Sequence, residues 1–255
     1  GGELKRPSDG QIPKRVVLFQ CVGSRDDQVG NRYCCRIGCV TSTKQAIEIR
    51  ERHPESEVTI HYMDIRTTGS GWEELYWKAQ EEFRVQYLRG RGAEVLPKGG
   101  RLQIRAEDTL LNRPFIREVD LVVLAVGMRP GQGTTQAARL LNLPTGEYGF
   151  LMPADPLLRP LDTSREGIFV AGAALGPRDI ESCITEGSAA AARRQTPGVE
   201  RAALRRALDA AGRELGEQGR DARVRAFRGA RHPDALAQAV GLPGVPGEVV
   251  ALLHH

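Results

Sequence analysis

Four of the five cysteines fall within nineteen residues, at Cys21, Cys34, Cys35 and Cys39. Thiolates are soft ligands, and four of them can close a tetrahedral zinc site or hold a 4Fe-4S cluster. The spacing, C-x12-CC-x3-C, is neither the C-x2-C pair of a zinc ribbon nor the ferredoxin run. Spacing alone therefore leaves iron–sulfur, zinc and free or redox-active thiols all open. No cationic-then-apolar leader opens the sequence, so a secretory signal and a disulfide framework are not expected. Thiol–disulfide chemistry at the vicinal Cys34-Cys35 pair ranks last, because a vicinal disulfide is strained and there is no C-x-x-C motif. Cys183 is expected to be a buried small hydrophobe.

The elements around these residues suggest what positions them. Cys21 directly follows the apolar run Arg15–Gln20 (RVVLFQ), which predicts a buried strand. A dinucleotide-binding unit places its glycine-rich turn at that point, so that backbone amides can approach a pyrophosphate. Here the turn reads CVGSRD, with Gly23 and Ser24 as candidate cofactor contacts, and no complete G-x-G-x-x-G occurs in the chain. A nicotinamide cofactor is therefore disfavoured at this strand. Helices are predicted over 41–52 and 72–83, and a second strand over 57–63. Short hairpin or edge strands are expected over 84–88, 93–96, 102–106 and 115–116. The strongest buried strand is 119–126 (VDLVVLAV), a further strand is 167–172 (GIFVAG), and 180–194 reads as a small-residue helix. Strands alternating with helices predict an α/β fold with a parallel sheet. Gly127 ends the strongest strand, and Gly172, Ala173, Gly176, Asp179 and Ile180 lead into the last helix. Each is a candidate contact for a flavin, where glycine permits close backbone approach.

The 36 Lys+Arg and 32 Asp+Glu give a net charge of +4, but eleven Arg against five acidic residues lie between Arg193 and Arg231. That segment carries a local +6, which leaves the remainder at about −2. Clustered Arg can neutralise nucleic-acid phosphates, yet a solvated face or protein-docking tail is the favoured reading. The longest apolar run, 121–128, is too short to cross a membrane. The expected organisation is a loop over 1–14, a dinucleotide-binding-like domain carrying the cysteines over 15–118, a C-terminal half of a FAD-binding domain over 119–195, and an Arg/Ala-rich tail over 196–255. Within that tail, an Arg-faced helix over 199–215 and a Pro/Gly linker over 241–247 are expected.

The stretches RPSDGQIPKRVVLFQCVGSRD, YCCRIGC, Lys44-Gln45-Ala46, YMDIR (62–66), DLVVLAVGMRP and LRPLDTSREGIFVAGAALGPRDIESCITEGSAAAA resemble the A-type subunit of heterodisulfide reductase over about 190 of the 255 residues. The resemblance implies a Rossmann-like, thioredoxin-reductase-type flavoprotein with parallel sheets, an inserted β-rich segment and an incomplete FAD domain. It implies FAD and a 4Fe-4S cluster as cofactors, and a cytoplasmic electron-transfer role within a larger complex. Implied partners are B- and C-like subunits, a hydrogenase, formate dehydrogenase or other electron donor, and a separate polypeptide supplying the N-terminal FAD half. No membrane or nucleic-acid partner is implied. Cys21, Cys34 and Cys39 match family ligands. The family's fourth cysteine immediately precedes the last, where this chain has Gly38, while Cys35 stands where the family usually has Ser. Lys44 matches a lysine near the flavin's reactive edge, where a cation stabilises a reduced, anionic isoalloxazine. The alternative reading is a zinc-stabilised or cofactor-free module that docks redox subunits.

Overall fold

The computed structural model describes residues 3–195 and 249–252. Two compact units divide the chain, one of Gly1–Met128 with Gly244–His255 and one of Arg129–Pro243. In the first unit, β1 (Arg15–Val22), α1 (Gly38–Arg52), β2 (Glu57–Tyr62), α2 (Trp72–Glu81) and β3 (Gln86–Arg89) follow in alternation. The strands β4 (Gly92–Lys98), β5 (Arg101–Asp108) and β6 (Arg113–Val119) then form an antiparallel sheet. β7 (Leu121–Val126) returns beside β1, and β8 (Val249–Leu252) pairs with β7. The main sheet runs β3-β2-β1-β7-β8, and all its pairings are parallel.

The run RVVLFQ is apolar throughout because both faces of β1 are covered. Val16 and Leu18 face the helices, in a core with Ala46, Ile47, Val58, Ile60, Leu121 and Val123. Val17 and Phe19 face the antiparallel sheet, in a second core with Leu102, Ile104, Val119 and Val122. Each such side chain contributes about 1.5–3 kcal/mol when buried. A strand buried on one face only would alternate apolar with polar residues.

Three expectations change in register or kind. The strand expected over 119–126 is two strands broken at Asp120, where the chain leaves one sheet and enters the other. The buried Asp120 carboxylate accepts the Lys14 and Arg15 amides at 3.0 and 2.9 Å, which ties this corner to the start of β1. The break between units comes after Met128, and β7 sits centrally in the first unit's sheet. The segment 167–172 is not a strand: Phe169 makes a single bridge to Asp162, and no neighbouring strand supplies a ladder among the described residues. Its Ile168 and Val170 still build the second unit's core, with Ala138, Leu143 and Leu151. That unit also holds α3 (Gln132–Leu141) and α4 (Ile180–Gln195). The helix expected over 199–215 and the linker over 241–247 lie outside the described residues. None of the helices among the described residues is long and apolar enough to cross a membrane.

Candidate functional site

β1 is joined to β2 on one side and to β7 on the other, so the sheet changes direction at β1. In open α/β sheets, ligands bind outside the carboxyl ends of the strands at such a switch point. Cys21, Gly23, Ser24 and Gly127 all lie there. The register between β1 and β7 shifts between Phe19 and Val22, and Cys21 in this bulge has φ +60. A left-handed conformation costs a non-glycine residue about 1–2 kcal/mol, and such strain concentrates at functional sites. Gly127 permits the close approach of loop and strand: a Cβ there would stand 2.9 Å from Ser24 Cβ and 3.1 Å from the Gly23 oxygen.

The loop from Cys21 to α1 is held at both flanks. Asn31 Nδ2 donates to the Gly23 carbonyl at 2.9 Å, and the Tyr33 hydroxyl donates to the Met128 carbonyl at 2.7 Å. Arg25 pairs with Asp64 at 2.7 Å and Arg91 with Asp26 at 3.1 Å. α1 starts at Gly38 with Ile37 before it, so no side-chain oxygen caps it. Instead the Gly38 amide donates to Cys35 Sγ at 3.4 Å, and the Arg36 amide donates to Cys34 Sγ at 3.3 Å. Sulfur thus takes up the amides that lead into α1, and at Cys34 the Arg36 amide favours the thiolate. The expected helix start at residue 41 missed this turn, because Gly-Cys-Val gives no capping signal.

The four thiols lie close enough to act on one another's ionisation, Cys21 with Cys34 and Cys39, and Cys34 with Cys35. A hydrogen bond from the Cys35 thiol holds Cys34 down to about 5, with the Arg36 amide and Arg66 adding to it. The same bond, with burial, pushes Cys35 up. Burial raises Cys39 to about 11 and also raises Cys21. Cys39 donates to Gln20 Oε1 at 3.6 Å. Four thiolates side by side repel one another unless a cation shares them, so one anion and three thiols are the favoured set here. Among the described residues, no three His, Cys, Asp or Glu side chains stand close enough to hold a metal ion as they are placed.

The donor chemistry nevertheless fits an iron–sulfur group. Four thiols share one loop and its flanks, backbone amides already point at two of their sulfurs, and Arg25 and Arg66 supply positive charge. Buried Ser24 Oγ and Gln20 Nε2 have no protein partner, so the site retains polar capacity. Sequence reasoning missed Arg25, Arg66 and Gln20. Arg66 ends the YMDIR stretch, but nothing in its spacing from the cysteines marks it.

The other expected residues are placed elsewhere. Lys44 lies on the solvent side of α1, 3.9 Å from Glu48. In the second unit, Gly172 has φ +66 and its amide donates to Glu186 Oε2 at 2.7 Å. Glu186 also pairs with Arg178 at 2.8 Å. Asp179 accepts the Ser182 amide and hydroxyl at 2.7 and 2.9 Å, which caps α4. Gly176 is buried, whereas Ala173 and Ile180 are exposed. The amide of Gly172 and the carboxylate of Asp179 are therefore already engaged within their own unit. Cys183, expected to be buried, is only partly so, with its Sγ against Gly172.

Comparison with known proteins gives this site its context. The chain is 48% identical over 198 residues to the second A-type iron-sulfur subunit of the CoB–CoM heterodisulfide reductase of Methanopyrus kandleri, covering 77% of this chain and 30% of that protein. It is 44% identical over 200 residues to the A-type subunit of the H2:CoB-CoM heterodisulfide,ferredoxin reductase of Methanothermobacter thermautotrophicus, covering 78% of this chain and 30% of that protein. The matched region is a homologue of the heterodisulfide reductase A-type subunit. The chain spans about a third of the length of these heterodisulfide reductase relatives. No protein-family model matches the chain. Among solved structures it is similar to the thioredoxin reductase of T. acidophilum, with a TM-score of 0.48 and 19% identity, covering 71% of this chain and 51% of that one.

Proposed function

We propose that this chain is an electron-transfer portion of a heterodisulfide-reductase-like oxidoreductase, passing electrons between FAD and a 4Fe-4S cluster and on to partner subunits. The supporting observation is the placement of Cys21, Cys34, Cys35 and Cys39 on one loop between the end of β1, at the sheet's switch point, and the start of α1, with Cys35 Sγ accepting the Gly38 amide at 3.4 Å. Cys35 thereby sets its sulfur beside the backbone position from which the family projects its fourth cysteine. Cys21, Cys34, Cys35 and Cys39 hold the cluster in this reading. A cluster so held supplies storage for single electrons. The chain's own contribution is positional and electrostatic: Arg25 and Arg66 offset thiolate charge, and the Arg36 and Gly38 amides hydrogen-bond the sulfurs.

FAD is proposed on the homology. Gly23, Ser24, Lys44 and Gly127 are the proposed flavin contacts of the first unit; Gly172, Ala173, Gly176, Asp179 and Ile180 are, separately, those of the second. Lys44, whose ion pair among the described residues is the long 3.9 Å contact to Glu48, is available to favour an anionic reduced flavin. Partners follow the relatives' names, which invoke hydrogen, formate and ferredoxin. The proposed assembly is a cytoplasmic complex with B- and C-like subunits and a hydrogenase, formate dehydrogenase or other electron donor.

Anaerobic reconstitution with iron and sulfide, followed by EPR after reduction, tests the reading. A cluster signal lost in each of Cys21→Ser, Cys34→Ser, Cys35→Ser and Cys39→Ser is expected. No signal from the unmodified chain, or one zinc and no iron by elemental analysis, rejects it.

A further inference from the structure

Six arginines gather at the carboxyl end of the first unit's parallel sheet. Arg25 follows β1, Arg66 follows β2, Arg89 closes β3 and Arg91 follows it, while Arg32 and Arg36 lie on the loop between β1 and α1. Ion pairs draw these segments together. Arg25, after β1, reaches Asp64, after β2, at 2.7 Å, and Arg91 reaches Asp26 at 3.1 Å. The loop after β1 is folded back on itself by the bridge of Asp26 with Asn31 and by the Arg25 amide, which donates to the Tyr33 carbonyl at 3.0 Å. Asp64 lies in the field of Arg25, Arg66 and Arg89 together.

The charges on this edge do not balance. Asp26, Asp27 and Asp64 are the carboxylates that the ion pairs use, so six guanidinium groups leave an excess of three positive charges. Among the described residues, Arg36, Arg66 and Arg89 have no carboxylate within ion-pair distance. Arg32, Arg36, Arg66, Arg89 and Arg91 are exposed, and Arg25 is half-buried. Every cation of the group is arginine, whose planar fork matches a carboxylate better than a lysine ammonium does. Adjacent strands stand about 4.8 Å apart, so the guanidinium groups are spread along an open edge. That is the form of a protein-docking surface, whereas a small ligand is held in a concave pocket.

We infer that this arginine-rich edge is the docking surface for a protein partner whose contact face carries clustered Asp and Glu carboxylates. The inference rests on the function proposed above for the partner's role alone; the surface itself needs no bound group in the cysteine loop. Charge complementarity selects the partner, steering its encounter and rejecting a basic face. The interspersed carboxylates separate this edge from a nucleic-acid site. A uniform line of phosphates would have to pass over Asp26, Asp27 and Asp64, whereas discrete carboxylates on a protein can be set between them.

The whole, metal-free chain is titrated by calorimetry at low salt with an acidic plant-type ferredoxin, and separately with basic cytochrome c and with a DNA duplex. Saturable binding of ferredoxin is expected, lost in about 0.5 M salt. R32Q/R36Q/R89Q should weaken it about tenfold, from roughly twofold for each exposed charge pair, and R89Q alone about twofold. The control R201Q/R205Q/R206Q takes three charges from the Arg-rich segment instead, so it lowers the net charge of +4 equally. It should cost less than about twofold. No binding of ferredoxin, an equal loss in the two triple variants, or tighter binding of cytochrome c overturns the inference. Duplex binding that R32Q/R36Q/R89Q weakens as much as ferredoxin binding also overturns it, and assigns the edge to nucleic acid. Ferredoxin binding at this edge in a chain that gives no cluster signal on reconstitution upholds the surface and sinks the function proposed above. A cluster signal without such binding sinks the surface alone.

Discussion

Substituting Gly127 by Ala tests whether the close approach at the switch point builds the cysteine loop. The new Cβ would stand 2.9 Å from Ser24 Cβ, 3.1 Å from the Gly23 oxygen and 3.3 Å from the Gly23 carbonyl carbon. These are side-chain root and backbone atoms, which cannot swing aside as the end of a long side chain can. Gly127 has no positive φ, so alanine itself fits the backbone there. Restricting the unfolded chain would then stabilise by about 0.4–1 kcal/mol, while overpacking costs about 1–3 kcal/mol. The steric cost prevails, and a net loss of about 1–2 kcal/mol is expected. Urea unfolding followed by tryptophan emission reads it cleanly, since both tryptophans sit in the same unit as Gly127. The midpoint should fall with an unchanged denaturant slope. Because the loop that must move carries Cys21, iron uptake in the reconstitution should fall in parallel. A variant as stable as the unmodified chain, with full iron uptake, refutes the packing argument.

Two further outcomes follow from the titrating groups. Cys34, held well below the usual thiol range and only partly buried, ionises most readily, whereas Cys21, Cys35 and Cys39 are raised and buried. Iodoacetamide at pH 6.5 on the metal-free chain should therefore label Cys34 first, as read by peptide mass spectrometry, and uniform labelling of all four contradicts this. His61 is buried between Phe19 and Phe115, at 4.9 and 5.7 Å between ring centroids, and burial followed by Arg117 lowers it to about 4. The unfolded chain takes up that proton first, so stability is full above about pH 6.5 and drains as pH falls toward 4, by about 3 kcal/mol in all. His61→Phe should flatten that slope; an identical slope in the variant removes His61 as its cause.

The legible parts of the fold were those fixed by local pattern. RVVLFQ announced a buried strand, and the alternation of such runs with helical spacing announced the parallel sheet. Asp120 broke the strongest predicted strand because its carboxylate serves amides at Lys14 and Arg15, more than a hundred positions away. Propensity cannot see a partner at that distance. The run 167–172 read as a strand on composition, yet a strand exists only when a neighbour completes its ladder. The start of α1 was placed too late because its first amide is taken by the sulfur of Cys35, which no capping rule anticipates.

The amino-acid sequence by itself determined the donor chemistry, four thiols in one short loop after a buried strand, and the likeness to the heterodisulfide reductase A-type subunit. Those are properties of residue type and order, which survive without coordinates. Only the tertiary structure decided the electrostatics of the site. It brings Arg25, Arg66 and the Gly38 amide to the sulfurs, drives the ionisation of neighbouring Cys34 and Cys35 in opposite directions, and engages Gly172 and Asp179 inside their own unit. Charge and hydrogen-bond effects depend on separation in space and on burial, and neither is encoded in spacing along the chain.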